Sequence, residues 1–183
     1  MSNLMTDPNK NPNPSINTTM NYMQNLHLMS SSKMQIFEFF IFNRNGVCLL
    51  HLDLQDESMN QKNKALQVNK DNENRYKLIF GLIFSMKSFV KILSPVGGKD
   101  FFTNFSTSNY KLNYVEFLNG FRFVLLTSQL KSDLTNYLKE IFNVYYVNLI
   151  SKNILINKED VIKNDLFIES VSAYLSNLNG NLN

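Results

Sequence analysis

The chain has 183 residues, of which 44% are apolar and 18% charged, with a formal net charge of +3. This size predicts one domain with a single substantial core, and a net charge this small does not by itself imply nucleic acid as a partner. The one cysteine, Cys48, excludes an internal disulfide and a multi-cysteine metal site.

Residues 1–33 are rich in Asn, Ser, Thr and Pro and carry almost no charge. Because this composition cannot bury enough apolar area to offset the entropy of ordering, we predict a disordered extension there. The domain itself is predicted over residues 34–180, with a polar, Asn- and Lys-rich inserted loop at 55–74. No signal peptide or membrane-spanning apolar run is visible, so a cytoplasmic protein is expected.

Residues 36–52 predict a β-hairpin. The run from 36 to 42, IFEFFIF, has almost no polar alternation, which is typical of a strand covered on both faces. Asn45-Gly46 follows, and this dipeptide favours a tight type I′ turn because both of its positions need a positive φ. Such a hairpin, followed by one long helix, indicates a scaffold for protein–protein contact.

The apolar spacing over residues 75–93 predicts this long helix, which Ser94-Pro95 ends. One stripe is expected to pack on the sheet, and its members are Leu78, Leu82, Met86 and Val90. A second stripe, which is either core or a subunit interface, consists of Tyr76, Phe80 and Phe84.

Cations are concentrated between residues 75 and 111, where six occur beside a single acid, Asp100. They form either an ordinary solvated face or a surface for an acidic partner or an anionic membrane leaflet. The six are Arg75, Lys77, Lys87, Lys91, Lys99 and Lys111.

Three short strands are predicted after this helix, at 101–106, 111–117 and 121–127, the last two joined by an Asn119-Gly120 turn. Two helices follow, at about 132–152 and about 158–177, with Asn157 as the N-cap of the second. The element order is therefore β-β-α-β-β-β-α-α. It predicts an α+β fold in which a five-stranded sheet carries helices on both faces.

Residues that could carry catalysis are sparse. For His51 a structural or solvent-exposed role is favoured, because no acidic residue is spaced to partner it on the same element. For Cys48 a buried, inert thiol is favoured over a nucleophile. The turn at Gly97-Gly98 lacks the other residues of a phosphate-binding loop. We therefore predict no catalytic residue, no metal site, no cofactor and no enzyme activity.

Two segments of the sequence resemble a known family. Residues 43–49, NRNGVCL, resemble the hairpin of the sybindin-type small subunits of the TRAPP vesicle-tethering complex. Residues 76–90, YKLIFGLIFSMKSFV, resemble the long helix of the same subunits. Shorter matches follow in the same order, at Ser94-Pro95, Lys99-Asp100, residues 107–112 and residues 146–153.

The resemblance implies a longin-like (SNARE-like) fold and a non-catalytic core subunit of the TRAPP complex. Such a subunit helps to tether ER-to-Golgi transport vesicles and to scaffold guanine-nucleotide exchange on a Rab-type small GTPase. The implied partners are other TRAPP subunits, the GTPase through the assembled complex, and membranes only peripherally, at the cis-Golgi and endoplasmic reticulum. Alternatives are a small longin-fold chain of a coat adaptor, a SNARE-like trafficking protein or a free-standing small-molecule binding module.

The same resemblance directs attention to the long helix as the contact surface for a neighbouring subunit. The residues expected at this partner interface are Tyr76, Phe80, Phe84, Lys87 and Lys91. The residues of the structural hairpin motif are Arg44, Asn45 and Gly46.

Overall fold

The structure is a computed structural model that describes residues 35–55, 65–66, 72–95, 97, 101–129 and 133–181. The predicted extension at 1–33 lies outside the described residues, as does most of the predicted insert at 55–74. Six strands are described, namely β1 (Ile36–Phe42), β2 (Cys48–Asp53), β3 (Ala65–Leu66), β4 (Asn104–Ser106), β5 (Lys111–Glu116) and β6 (Arg122–Thr127). The helices are α1 (Glu73–Leu93), α2 (Thr135–Glu140), a π-helix (Ile141–Ser151) that continues α2, and α3 (Asp165–Asn181).

The strands form one antiparallel sheet in the order β3-β2-β1-β6-β5-β4. The five predicted strands are confirmed, and the structure adds β3, whose two residues fall inside the predicted insert and pair with β2. β1 lies between β2 and β6, in the middle of the sheet. This position explains its unbroken apolar run, because a central strand with both faces covered has no solvent-facing positions.

Helices cover both faces of the sheet, as predicted. Successive side chains of β1 point to opposite faces, so Phe40 packs with α1 and Phe39 packs with α2, the π-helix and α3. This is the longin-like α+β fold that the family resemblance implies. Within the described ranges, no helix combines the length and hydropathy that a membrane span requires.

The larger of the two cores is aromatic at its centre. Phe123 of β6 packs against Phe39 of β1 at 5.7 Å between ring centroids, and against Tyr146 of the π-helix at 5.6 Å. Both contacts are edge-to-face, the arrangement that aromatic quadrupoles favour. The centre of the sheet and the helical layer are therefore held together by one ring cluster.

The prediction for the start of the last helix was wrong. α3 begins at Asp165, and residues 157–160 form turns before it. Asn164 is the N-cap, since its side-chain oxygen accepts a hydrogen bond from the Phe167 backbone N–H at 2.8 Å. Asn157 uses its side-chain oxygen in a local turn, accepting from the Glu159 N–H at 3.3 Å. Asn157 is followed by Glu159 and Asp160 within three residues, and Asn164 is followed directly by Asp165, so the sequence alone does not separate them.

The cap assignment can be tested with two matched substitutions. We expect Asn164→Ala to lower the free energy of unfolding by about 1 kcal/mol, because the Phe167 N–H loses its partner at the start of a long helix. Asn157→Ala, which removes only a turn hydrogen bond, should cost clearly less. Urea unfolding followed by circular dichroism measures both. Equal costs for the two variants would contradict the assignment.

Candidate interaction surface

The hairpin motif is a structural turn with Asn43 buried beneath the exposed Arg44 and Asn45, although it is not of the predicted type. Gly46 has φ +84°, whereas Asn45 does not have a positive φ, so the turn is not type I′. The Gly46 N–H donates to the Asn43 carbonyl at 3.1 Å, and β1 and β2 shift register beside it. This is a turn closed by one left-handed glycine, which the Phe117–Phe121 turn with Gly120 at φ +83° repeats between β5 and β6.

Asn43 holds the turn from inside. Its side-chain oxygen accepts hydrogen bonds from the backbone N–H groups of Asn45 and Val47, both at 3.0 Å. Its amide nitrogen donates to the Glu159 carboxylate at 2.8 Å, and Arg44 pairs with the same carboxylate at 3.4 Å. The loop before α3 is therefore fastened to the hairpin by Glu159.

Arg122 of β6 joins the hairpin turn to α1. Its guanidinium donates to the backbone carbonyls of Asn43 and Arg44 at 3.2 and 3.1 Å, and it pairs with Glu116 at 3.0 Å. The guanidinium carbon also lies 4.9 Å from the centroid of the Phe80 ring, within cation–π range. Two turns and a helix thus meet around one side chain.

Gly46 is required at this meeting point for a steric reason as well. A Cβ added there would lie 2.7 Å from the edge of the Phe80 ring, closer than carbon atoms pack. Phe80 is half-buried and also contacts Phe42, with 6.0 Å between ring centroids. Phe80 therefore fixes the position of α1 against the hairpin.

A buried polar network fixes the N-terminal end of α1. His51 of β2 has one ring nitrogen 2.8 Å from the carboxylate of Glu38 on β1, and the other 3.1 Å from the hydroxyl of Tyr76. Since a carboxylate only accepts, the nitrogen facing Glu38 donates, and in a neutral ring the other nitrogen accepts from Tyr76. Arg75 donates to the second oxygen of Glu38, and Phe40 stacks on the His51 ring at 4.3 Å.

The charge of Glu38 is stabilised within this network. Burial raises the pKa of its carboxyl, but the hydrogen bonds from His51 and Arg75 and the nearby positive charge together hold it below the ordinary value of 4.5. His51 is buried, which agrees with a structural role and rules out the solvent-exposed one. Its partner was missed because Glu38 lies on the neighbouring strand, where only the hairpin register places it diagonally from His51.

Cys48 is a buried thiol, as predicted. Burial raises its pKa to about 12, and its sulfur lies 3.3 Å from the Leu50 carbonyl oxygen. A thiol with this pKa forms almost no thiolate near neutral pH, so it is a poor nucleophile. Among the residues that the structure describes, no three His, Cys, Asp or Glu side chains are grouped so as to hold a metal ion.

The rotation of α1 on the sheet differs from the prediction. Tyr76 is only 4% exposed, so it cannot offer surface to a partner while α1 is in place. Leu78, predicted to pack on the sheet, is 74% exposed, whereas Leu82 and Met86 do pack there. The reason is chemical, because the Tyr76 hydroxyl gives the second ring nitrogen of the buried His51 a hydrogen-bonding partner.

The cations along α1 do not form one basic face. Arg75 pairs with Glu38, Lys77 with Glu73 at 2.7 Å, and Lys87 with Glu116. Lys111 is buried, Lys99 lies outside the described residues, and Lys91 is exposed near the end of the helix. Because most of these charges are already paired, a cationic surface along α1 for an acidic partner or anionic lipid is not supported.

The exposed side of α1 carries several large apolar side chains among polar ones. We define the outer α1 face as its five large apolar side chains that are more than half exposed, namely Leu78, Phe84, Phe89, Ile92 and Leu93. Leu78, Phe89 and Ile92 follow helical spacing along one side of the helix. Phe84 is therefore the one member of the predicted aromatic stripe that lies on this face. Contiguous apolar patches beyond a few hundred Å² are rare on monomers and mark interaction sites.

Comparison with known proteins gives a consistent set of relatives. The profile of the Sybindin-like family matches residues 36–178. The chain is 32% identical over 145 residues to "Trafficking protein particle complex subunit 1" of Homo sapiens, covering 79% of this chain and 94% of that protein. The protein of the same name in Dictyostelium discoideum is 30% identical over 145 residues, covering 78% of this chain and 96% of its own length. "Trafficking protein particle complex subunit BET5" of Saccharomyces cerevisiae is 30% identical over 123 residues, covering 67% of this chain and 76% of that protein.

The contact between α1 and the hairpin turn can be tested with two glycine substitutions. We expect Gly46→Ala to destabilise the chain by at least about 1–2 kcal/mol, because its backbone is left-handed and its Cβ would collide with Phe80. Gly81→Ala, in the exposed middle of α1 with nothing near its added Cβ, should stabilise the chain by up to about 1 kcal/mol. Urea unfolding measures both. The same sign for both variants would refute the contact.

The buried network predicts a pH dependence. Because the pKa of Glu38 is lower in the folded chain, the stability that its charge contributes is present in full above the ordinary value of 4.5 and is lost as the pH falls through the folded-state value. Glu38→Gln should therefore cost about 1.5–3 kcal/mol near neutral pH, and less under acid conditions. Unfolding midpoints measured across this range check it. Parallel pH profiles for the parent and the variant would contradict the prediction.

Proposed function

The chain belongs to the Sybindin-like family, and from this premise we propose that it is a non-catalytic subunit of a TRAPP (trafficking protein particle) complex. The names of its relatives, each a subunit of such a complex, support this assignment. Their alignments span most of both chains, so the proposal concerns the whole domain.

The observation that carries the proposal is the outer α1 face. Full burial of one large apolar side chain contributes about 1.5–3 kcal/mol, and less for side chains that are already partly covered. Association itself costs about 4–15 kcal/mol in lost freedom of motion. Five such side chains on one helix can offset the lower part of that cost, whereas single scattered ones cannot. A neighbouring subunit is the occupant that suits this face.

The contact surface that we propose differs from the one expected from sequence. Phe84 and Lys91 remain on the exposed part of α1, and Leu78, Phe89 and Ile92 join them. The other predicted residues act indirectly, by setting how α1 lies on the sheet. Tyr76 contacts His51, Phe80 contacts Phe42, and Lys87 pairs with Glu116. They determine the shape of the interface without providing most of its area.

We also propose the finer role that the family resemblance implies. The subunit would help to tether ER-to-Golgi vesicles from the cytoplasm, with peripheral contact at the cis-Golgi and endoplasmic reticulum. In the assembled complex it would scaffold guanine-nucleotide exchange on a Rab-type GTPase, which requires tighter binding to the nucleotide-free state than to the loaded state. The buried positions of Cys48 and His51 are in keeping with a scaffold that supplies surface and leaves chemistry to the GTPase.

The proposal predicts the behaviour of a double variant of the outer α1 face. Leu78→Asp/Phe89→Asp should leave the circular dichroism spectrum and melting temperature of the isolated chain nearly unchanged, because both side chains are exposed. The tagged variant should nevertheless recover far less of the other TRAPP-type subunits from its own cytosol, as quantified by mass spectrometry. The charge that it places in an apolar contact is the physical cause.

The matched control is Leu118→Asp, which changes a fully exposed leucine outside α1, in the turn between β5 and β6. It should co-purify with the same subunits as the parent chain. Undiminished recovery with the double variant would refute the outer α1 face as the interface. Recovery of large coat chains by the parent would instead indicate an adaptor subunit.

A further inference from the structure

The loop between the π-helix and α3 carries a second exposed apolar feature. Ile154 and Leu155, which we call the loop tip, are 96% and 89% exposed. Asn153 turns the chain outward here, since its side-chain oxygen accepts from the Leu155 N–H at 3.0 Å and its own N–H donates to the Ile150 carbonyl at 3.2 Å. Two adjacent aliphatic side chains therefore project from a hydrogen-bonded turn.

The base of this loop is fastened to the domain. The Ile162 N–H donates to the Leu49 carbonyl of β2 at 2.8 Å, and Ile162 lies in the core. Ile156, next to the tip, also packs against the core. The loop buries these neighbouring isoleucines, whereas Ile154 and Leu155 are far more exposed than Val161, which is 38% exposed.

Lysines flank the tip on both sides. Lys152 and Lys158 are exposed, and Lys163 is exposed further along the loop. The Nζ of Lys152 donates to the Asn148 side chain at 2.8 Å, a neutral partner that leaves its charge uncompensated. Of the two acids in the loop, Glu159 is turned toward the hairpin and paired with Arg44, and Asp160 is exposed. The three lysines outnumber the two acids, so the loop has a net positive charge.

From this arrangement we propose that the loop tip inserts into an anionic lipid surface, with Lys152 and Lys158 at the level of the headgroups. Apolar side chains bordered by lysines are typical of segments that bind anionic bilayers, where each cation adds attraction. Lysine is instead depleted at protein–protein interfaces, and two projecting side chains fall far short of the roughly 800 Å² per partner of a standard interface.

The inference deepens the peripheral membrane contact within the proposed function and rests on that function only for its setting. Its failure is distinguishable from failure of the assembly proposal, because the outer α1 face is tested by co-purification and the loop tip by lipid binding. Neither Ile154 nor Leu155 belongs to the outer α1 face.

The absence of tryptophan from the chain provides a clean optical test. Leu155→Trp places a single indole at the tip, and Leu118→Trp places one at an equally exposed leucine in the turn between β5 and β6. The probe is a vesicle of phosphatidylcholine with or without phosphatidylserine. With the phosphatidylserine-containing vesicles, we expect the fluorescence emission of Leu155→Trp to shift to the blue and to be quenched by brominated lipid. The emission of Leu118→Trp should be unchanged.

A charge variant completes the test. In Leu155→Trp, the further changes Lys152→Gln and Lys158→Gln should weaken vesicle partitioning by roughly 30-fold, because two near-surface cations are removed. The inference is overturned by any of three results: an unshifted Leu155→Trp spectrum with serine-containing vesicles, an equal shift in Leu118→Trp, or a shift that appears only when the chain assembles with its partner subunits.

Discussion

The rotation of α1 about its own axis is the constraint on which the interaction surface depends. The helix is apolar around most of its circumference, so burial alone does not choose one side. Two specific contacts choose it, namely the hydrogen bond of Tyr76 with His51 and the packing of Phe80 against the side of Gly46 that lacks a Cβ. Once these are made, Leu78 and Phe89 lie outside. The exposure of the outer α1 face is thus a consequence of the contacts that fix the opposite side of the helix.

The buried polar network matters more for the orientation of α1 than for the net free energy of folding. A buried histidine and carboxylate are costly to remove from water, and an apolar replacement of the whole group could be as stable. What the Glu38–His51–Tyr76 chain adds is direction, because a hydrogen bond is satisfied in one arrangement whereas apolar packing is satisfied in many. The central strand carries one acid in an otherwise apolar run, and the network accounts for it.

The sequence predicted the features that depend on local pattern. The central strand followed from its unbroken apolar run, and the two hairpins followed from their Asn-Gly pairs. The features it did not predict depend on partners from elsewhere in the chain. Glu38 meets His51 through strand register, and the turns use one left-handed glycine where the dipeptide favours two left-handed positions. For α1, several stripes were equally apolar, so a tertiary hydrogen bond decided between them.

The outer α1 face and the loop tip differ in the kind of surface that could cover them. The first is a set of large apolar side chains distributed along a helix, which can meet another protein surface over its length. The second is two residues wide and bordered by exposed lysines, so a protein would have to build a pocket around it, whereas a fluid lipid surface deforms to accept it. The helices lie on opposite faces of the sheet, with α1 on one and the π-helix before the tip on the other. The outer α1 face and the loop tip share no residue, so a subunit along α1 and a lipid surface at the tip would contact different side chains.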